Sequence, residues 1–398
     1  MKITRADFSI AVMSGHFLQR GEPAMVDKWT RARMAVACGV DVVIEIPSIY
    51  ACASAEHFAR GSIGLLSQLG CVTDLVFGSE SGNLDALQHI GRMLADESSQ
   101  YRQVLRRYLS LGLPFAAAQE KTVIHILEQQ SHKKTDHIVS VFKQPNNLLG
   151  IVYLKEMIRV NSNITPHTIK RVGAGYHDTS LNNRISSATG IRKTIKDSGE
   201  TAPSQPYMPP HAYEVLRSGI QQFGGPVDLS QFNDPIMTLL KRASKKDILQ
   251  LPHISEGLEN RIYQAAHQAS NIFQFMDLVK NKRVPYTRLQ RMLVHLLLNI
   301  NQDISQHWHQ HALPPYAKIL AFSENGRLLI KHCTQLSGIP LINKPALYKP
   351  QDLETKKLFD LDCRAGRIYG SVMKHHTLRS GNPDLQISPW YSRDIPTT

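Results

Sequence analysis

Ala11-Val12-Met13-Ser14-Gly15-His16-Phe17-Leu18-Gln19-Arg20-Gly21-Glu22-Pro23 is the stretch whose reading decides the fold class. A short apolar strand, Phe8 to Met13, runs straight into a loop of Ser, Gly, His, Gln, Arg and Gly. An amphipathic helix follows from about Val26 to Cys38. In an open α/β sheet, ligands gather outside the carboxyl ends of the strands, so this loop is a candidate nucleotide site. Only seven residues precede the strand, which leaves no room within residues 1–398 for an earlier strand and phosphate-binding turn.

The same alternation continues along the first half. Val40–Ile46 reads as a fully buried strand stopped by Pro47, and residues 53–69 as a helix with Phe58, Ile63, Leu65, Leu66 and Leu69 on its apolar side. Leu75-Val76-Phe77 is a third strand, closing on Gly78-Ser79-Glu80-Ser81-Gly82, and helices are expected over 83–94 and 98–111. Gln144-Pro145-Asn146-Asn147 precedes a helix over 148–160, and Ile169–Val172 is a short strand. Strands alternating with helices predict an α/β fold with a Rossmann-like, doubly wound parallel sheet. Pro203, Pro206, Pro209 and Pro210 mark a boundary, so a nucleotide-binding domain over 1–200 and a mainly helical domain over 201–398 are expected. Helical periodicity covers 232–247, 256–265, 268–280, 287–301 and 302–310, and a small strand–helix–strand pattern lies between 315 and 342.

Composition narrows the class. Hydrophobic residues make up 42% and charged residues 20%, the balance of a soluble globular chain with core enough for about two domains. No apolar run reaches the roughly 18 residues a membrane span needs, and the first twenty lack a secretory pattern, so the default is cytoplasmic. Cys38, Cys52, Cys71, Cys333 and Cys363 form no C-x-x-C pair, which argues against structural zinc and suggests free thiols. The net charge of +13 favours a polyanionic partner, nucleic acid above all.

Three loops share small residues with one cation or amide: Ser14–Gly21, Gly78–Gly82 and Arg171–His177. Glycine permits close backbone approach to a phosphate. Each loop alone is also an ordinary connector. Ser187-x-Thr189-x-x-Arg192 opens a helix with hydroxyls and a cation one turn on, a set that can hold polyphosphate or simply cap a helix. Arg171 at a strand end can contact phosphate or stack on adenine. His16 and His177 can be read as acid–base groups or as incidental. No G-x-S-x-G elbow and no H-E-x-x-H pattern is present, so hydrolase and zinc-protease chemistry lack support. In the helical half, Arg288 and Arg291 share a helix face, with Lys282 and Arg283 just before it, a face that can track RNA phosphates or merely be solvated.

Together these segments resemble the bacterial tRNA(Met) cytidine acetate ligase family, within the HIGH nucleotidyltransferase superfamily. The matching pieces are residues 11–35, GVDVVIEIP (39–47), FARGS (58–62), FGSESG (77–82), QPNNLLG (144–150), GYHD (175–178), ISSATGIRK (185–193) and YTRLQRMLVHLLLN (286–299). The resemblance implies an enzyme that forms acetyl-adenylate from acetate and ATP, with Mg2+. The acetyl group then passes to N4 of the wobble cytidine of elongator tRNA(Met), giving N4-acetylcytidine. It implies ATP contacts at Gly78, Asn146 and Arg171, with Ser187, Thr189 and Arg192 as the superfamily's second signature, and no protein nucleophile. The family's opening N-P-F-H-N-G-H turn has no counterpart in residues 1–398, so the chain is N-terminally truncated relative to the family. Met1 is either a start placed too far downstream or a true truncation, and in the second case little adenylation and an exposed edge or gap in the sheet are expected. A catalytically impaired tRNA-binding remnant and a small-molecule nucleotidylyltransferase are the alternatives, the second disfavoured by the basic helical half.

Overall fold

The computed structural model describes residues 3–130, 141–142, 144–171, 187–254, 257–281, 284–311 and 313–393. Helices of eight or more residues are numbered here. The first half runs β1 (Ile10–Ser14), α1 (Lys28–Ala37), β2 (Val42–Ile46), α2 (Ala55–Gln68), β3 (Asp74–Ser79), α3 (Leu84–Asp96), α4 (Ser99–Ser110), α5 (Phe115–Gln130), α6 (Pro145–Arg159), β4 (Thr165–Lys170) and α7 (Ala188–Ser198). Then come α8 (Pro210–Phe223), α9 (Asn233–Arg242), α10 (Leu258–Gln268), α11 (Ile272–Val279), α12 (Tyr286–Leu298), β5 (Ala317–Ser323), α13 (Glu324–Leu336), β6 (Leu341–Ile342), α14 (Leu353–Ser371) and β7 (Trp390–Ser392).

Most of the periodicity-based elements are present, with shifted ends. The fourth strand lies over Thr165–Lys170 rather than 169–172, because it pairs residue for residue with β3. The helix after the Pro-Asn-Asn sequence begins at Pro145, whose fixed φ and missing N–H suit a first helical position. The helix expected over 232–247 breaks at Ala243, where Ser244 caps a separate short turn with its hydroxyl on the Asp247 amide.

The strands form two sheets. The larger has the order β1-β2-β5-β6, with β7 also on β5; β1 and β2 are parallel, whereas β2 and β5 are antiparallel. The expectation of a purely parallel sheet is corrected at that step, since the strand comes from the C-terminal half. Residues beyond 201 thus complete the sheet that residues 10–46 begin. The smaller sheet is the parallel pair β3-β4. Among the described residues, β1 and β3 each keep one edge without a strand partner.

β2 is buried at every position, including Glu45, and this is where the two halves lock. Lys28 of α1 meets Glu45 at 2.8 Å and Asp384 at 2.5 Å. Lys318 of β5 meets the same two carboxylates at 2.6 and 2.5 Å. All four are nearly inaccessible to water. The two lysines hold the Asp384 carboxyl well below the usual range against the cost of burial, and the carboxylates hold Lys318 well above its own.

The free-thiol expectation fails for two cysteines. Cys71, after α2, and Cys333, on α13, are joined in a disulfide with Cα atoms 5.6 Å apart; Cys38, Cys52 and Cys363 are free. A spacing of 262 residues hides such a pair from sequence patterns.

Two outcomes are expected. Lys318→Met, which leaves two buried carboxylates sharing one lysine, should cost about 3–5 kcal/mol in denaturant unfolding. Non-reducing peptide mapping should return Cys71 and Cys333 in one linked peptide; two separately alkylated cysteines would contradict the pairing.

Candidate nucleotide site

β1 and β2 are parallel and end at the same edge of the larger sheet, and β3 and β4 end together at one edge of the smaller. After β1 the chain makes a tight loop, tied by Leu18 N to Glu22 O at 2.8 Å and Ala24 N to His16 O at 2.8 Å. Gly21 has φ +79°, and a Cβ there would lie 2.2 Å from the Arg291 amide, so the loop can press on α12 only with glycine. Gln290 donates to Glu22 at 3.1 Å across the same contact.

β3 and β4 bring the first predicted group together. Their register pairs Gly78 with Ile169 and Ser79 with Lys170, so Arg171 leaves the sheet beside Gly78. The Arg171 amide donates to Ser79 O at 2.8 Å. A Cβ on Gly78 would stand 3.3 Å from Arg171 Cγ, so the arginine stem lies across the glycine on an exposed face. Glu80, one step on, accepts from Asn146 N at 3.1 Å, Asn146 Nδ2 at 2.6 Å and Asn147 N at 2.8 Å. Its carboxylate thereby satisfies the first amides of α6 and sits at the positive end of that helix. In return, the Ser81 amide donates to Asn147 Oδ1 at 3.0 Å. Gly78, Asn146 and Arg171 therefore form one group. Glu80, which joins them, escaped the sequence reading because its partners lie 66 and 67 residues away.

The second group lies at the start of α7. Ser187 caps that helix, accepting from Gly190 N at 2.9 Å, and Arg192 donates to Thr189 Oγ1 at 3.3 Å. Thr189, Arg192, Lys193 and Lys196 line a cavity of about 290 Å³ with Arg20 of the β1 loop, so four cations border it beside the carboxylates of Glu22 and Asp228. Of the cations, Arg20 and Lys196 are those that sequence spacing left unassigned.

Arg288 and Arg291 do share one face of α12, but that face is half-buried rather than solvated. Arg288 donates to the His253 carbonyl, and Arg291 to the Gln19 carbonyl at 3.4 Å. Burial lowers the pKa of both guanidinium groups. Lys282, Arg283 and the 172–178 loop with His177 lie outside the described residues.

His16 is not a solvent-facing acid or base. It is buried, stacked on Tyr369 at 4.4 Å, and held neutral by desolvation and nearby Lys28. His57, His253 and His309 meet with ligand atoms within 4.8 Å of one another. His57 and His309 stack face to face at 3.8 Å and 9°, and both His309 nitrogens are engaged, by Ser305 and the Ile49 carbonyl. A metal lies in the plane of each imidazole that binds it, so this stack is not a chelating arrangement.

The model of the HIGH Nucleotidyl Transferase family matches residues 1–384. The chain is 39% identical to the tRNA(Met) cytidine acetate ligase of Alkaliphilus metalliredigens, over 99% of this chain and 94% of that protein. It is 40% identical to the ligase of Halothermothrix orenii, over 97% of this chain and 92% of that one. The apo crystal structure of Thermotoga maritima TmcAL is similar with a TM-score of 0.94 at 31% identity, covering 99% of this chain and 94% of that chain. The same protein bound with alpha-thio ATP gives 0.92 at 30%, with the same coverage. The chain belongs to the tRNA(Met) cytidine acetate ligase family.

The buried histidines set a pH dependence. Desolvation holds His295 and His309 at about 3, whereas an unfolded histidine titrates near 6.5. As pH falls below ~6.5 the unfolded chain takes up protons that the folded chain refuses until about 3. From pH 7 to pH 5, stability should fall by about 2 kcal/mol for each of the two groups. Urea unfolding at both values measures it; a flat profile would mean that both rings charge within the fold.

Proposed function

We propose that this protein uses ATP to activate acetate and transfers the acetyl group to N4 of the wobble cytidine of elongator tRNA(Met). Full-length similarity to curated ligases of that name, together with a relative bound to an ATP analogue, is the observation that carries the reading. In the first step an acetate oxygen attacks the α-phosphorus of ATP, forming the acetyl-adenylate anhydride and releasing pyrophosphate. In the second, the cytidine N4 attacks the acetyl carbon, the acyl C–O bond breaks, AMP leaves, and one N4 proton passes to solvent.

The residues suit electrostatic rather than nucleophilic work. Arg171 over Gly78 offers charge beside an open backbone. The hydroxyl of Thr189 and the cations Arg20, Arg192, Lys193 and Lys196 border the cavity where polyphosphate charge needs holding. Mg2+ enters with ATP. Glu80 is committed to the start of α6, so phosphate oxygens and water supply the ion's ligands. Arg288 and Arg291, with Lys282 and Arg283 nearby in sequence, are the tRNA-binding candidates. Among the described residues no helix is long and apolar enough to cross a membrane, and we place the activity in the cytoplasm.

Purified protein with labelled acetate, ATP and an unmodified elongator tRNA(Met) transcript should give ATP-dependent label in one cytidine, with AMP and pyrophosphate released. Arg171→Ala should lower the rate at least about tenfold, the loss of one charge-assisted phosphate contact. Unlabelled tRNA under these conditions would sink the reading.

A further inference from the structure

A cavity of about 440 Å³ opens beside the N-terminus of α2, lined by Ser54, His253, Leu258, Arg288, Arg291 and His295 among others. The size is in the range of small-ligand pockets, roughly 300–1,000 Å³. It is distinct from the Gly78–Arg171 group and from the cavity at α7.

Its walls divide by chemistry. Arg288 and Arg291 stand one turn apart on α12, each fixed by one backbone carbonyl. A guanidinium has five N–H donors, so a single such bond holds the group and leaves donors for an anion. His253 presents an exposed ring at a backbone φ of +64°, an unusual conformation for a residue with a Cβ. Behind that ring stack His57 at 6.1 Å and 18° and then His309 at 3.8 Å and 9°, a column of three imidazoles that ends at the cavity. His295 is 1% exposed and donates from Nε2 to the Cys52 carbonyl at 2.7 Å. Its Nδ1 is therefore a lone-pair acceptor, and it is buried without a partner. Leu258, Leu289 and Met292 complete an apolar floor.

We propose that this cavity holds one unstacked nucleotide of an RNA strand, its base on His253 and its phosphate on Arg288 and Arg291, with His295 Nδ1 accepting from an exocyclic amine. The inference rests on the RNA-modifying reading above and adds to it a place and a base preference. A stacking ring, two paired cations and a buried acceptor are what a splayed-out base needs. An exocyclic amine pairs the orphan acceptor; uracil presents a carbonyl oxygen at that position, which repels the acceptor unless the base shifts to offer N3–H, and that difference discriminates. A nucleotide in RNA and a free nucleotide share this chemistry, so the test separates them.

Anisotropy of a labelled elongator tRNA(Met) transcript, titrated at several salt concentrations, is compared with calorimetric ATP binding. His253→Ala, at an exposed ring, should weaken tRNA binding about tenfold and His253→Phe should restore it, as loss and return of one stacked base do. Arg288→Gln should lower the slope of log affinity against log salt by about one. ATP affinity should be unchanged in all three, and oligo(C) should outcompete oligo(U). Normal tRNA affinity and salt slope in His253→Ala and Arg288→Gln would overturn the proposal, as would ATP affinity falling with tRNA affinity, which would make the cavity a free-nucleotide site. A wild-type protein that binds no tRNA would overturn the RNA-modifying reading and this inference together.

Discussion

Four buried charges hold the molecule together. Lys28, Glu45, Lys318 and Asp384 come from a helix, two strands and the C-terminal region, and each lysine touches both carboxylates. Burying one ion alone is prohibitive, and a pair is close to neutral against an apolar replacement. The square instead specifies which elements meet. With any corner removed the others are left charged and dry, so β5 has one acceptable place beside β2. That placement lets a strand from residue 317 onward finish a sheet begun at residue 10. His16 lies beside the square, its ring between Trp29 and Tyr369.

The loop contacts follow from that arrangement. With β2 fixed, the loop after β1 is pressed against α12, and Gly21 is the residue that allows the backbones to approach. This contact carries Arg20 toward α7 and brings Gln19 to Arg291. Two cavities open near this contact, one lined by Arg20 and Gln290 and the other by Arg291. The Gly78–Arg171 group belongs instead to the smaller β3-β4 sheet, where Glu80 ties it to α6.

Most strands and most long helices could be placed from periodicity because local burial alone determines a pattern of 2 or 3.6, but β7, α5, α8 and α14 were not read. Arg171 was legible as a residue at a strand end, and Ser187 and Thr189 as a helix start, since capping is local chemistry, whereas Gly78, read as opening a loop, lies inside β3. Glu80, His253 and the disulfide were not. Glu80 meets Asn146 across 66 residues, His57 stacks on His253 from a different half of the chain, and Cys71 pairs with Cys333 across 262. Arg288 and Arg291 were assigned to one face correctly, but whether that face meets water depends on what packs over it.

By itself the sequence determined the element types, the candidate phosphate-binding loops, the positive charge and the family resemblance. These depend on side-chain character within a turn or two, or on ordered motifs read in line. Tertiary structure alone decided the antiparallel entry of β5, the closure of the charge square and the two cavities. Each of these depends on groups tens to hundreds of residues apart, and Lys28 and Asp384 are separated by 356. No local pattern records such a pairing, because its free energy exists only after the chain has folded back to exclude water from both partners.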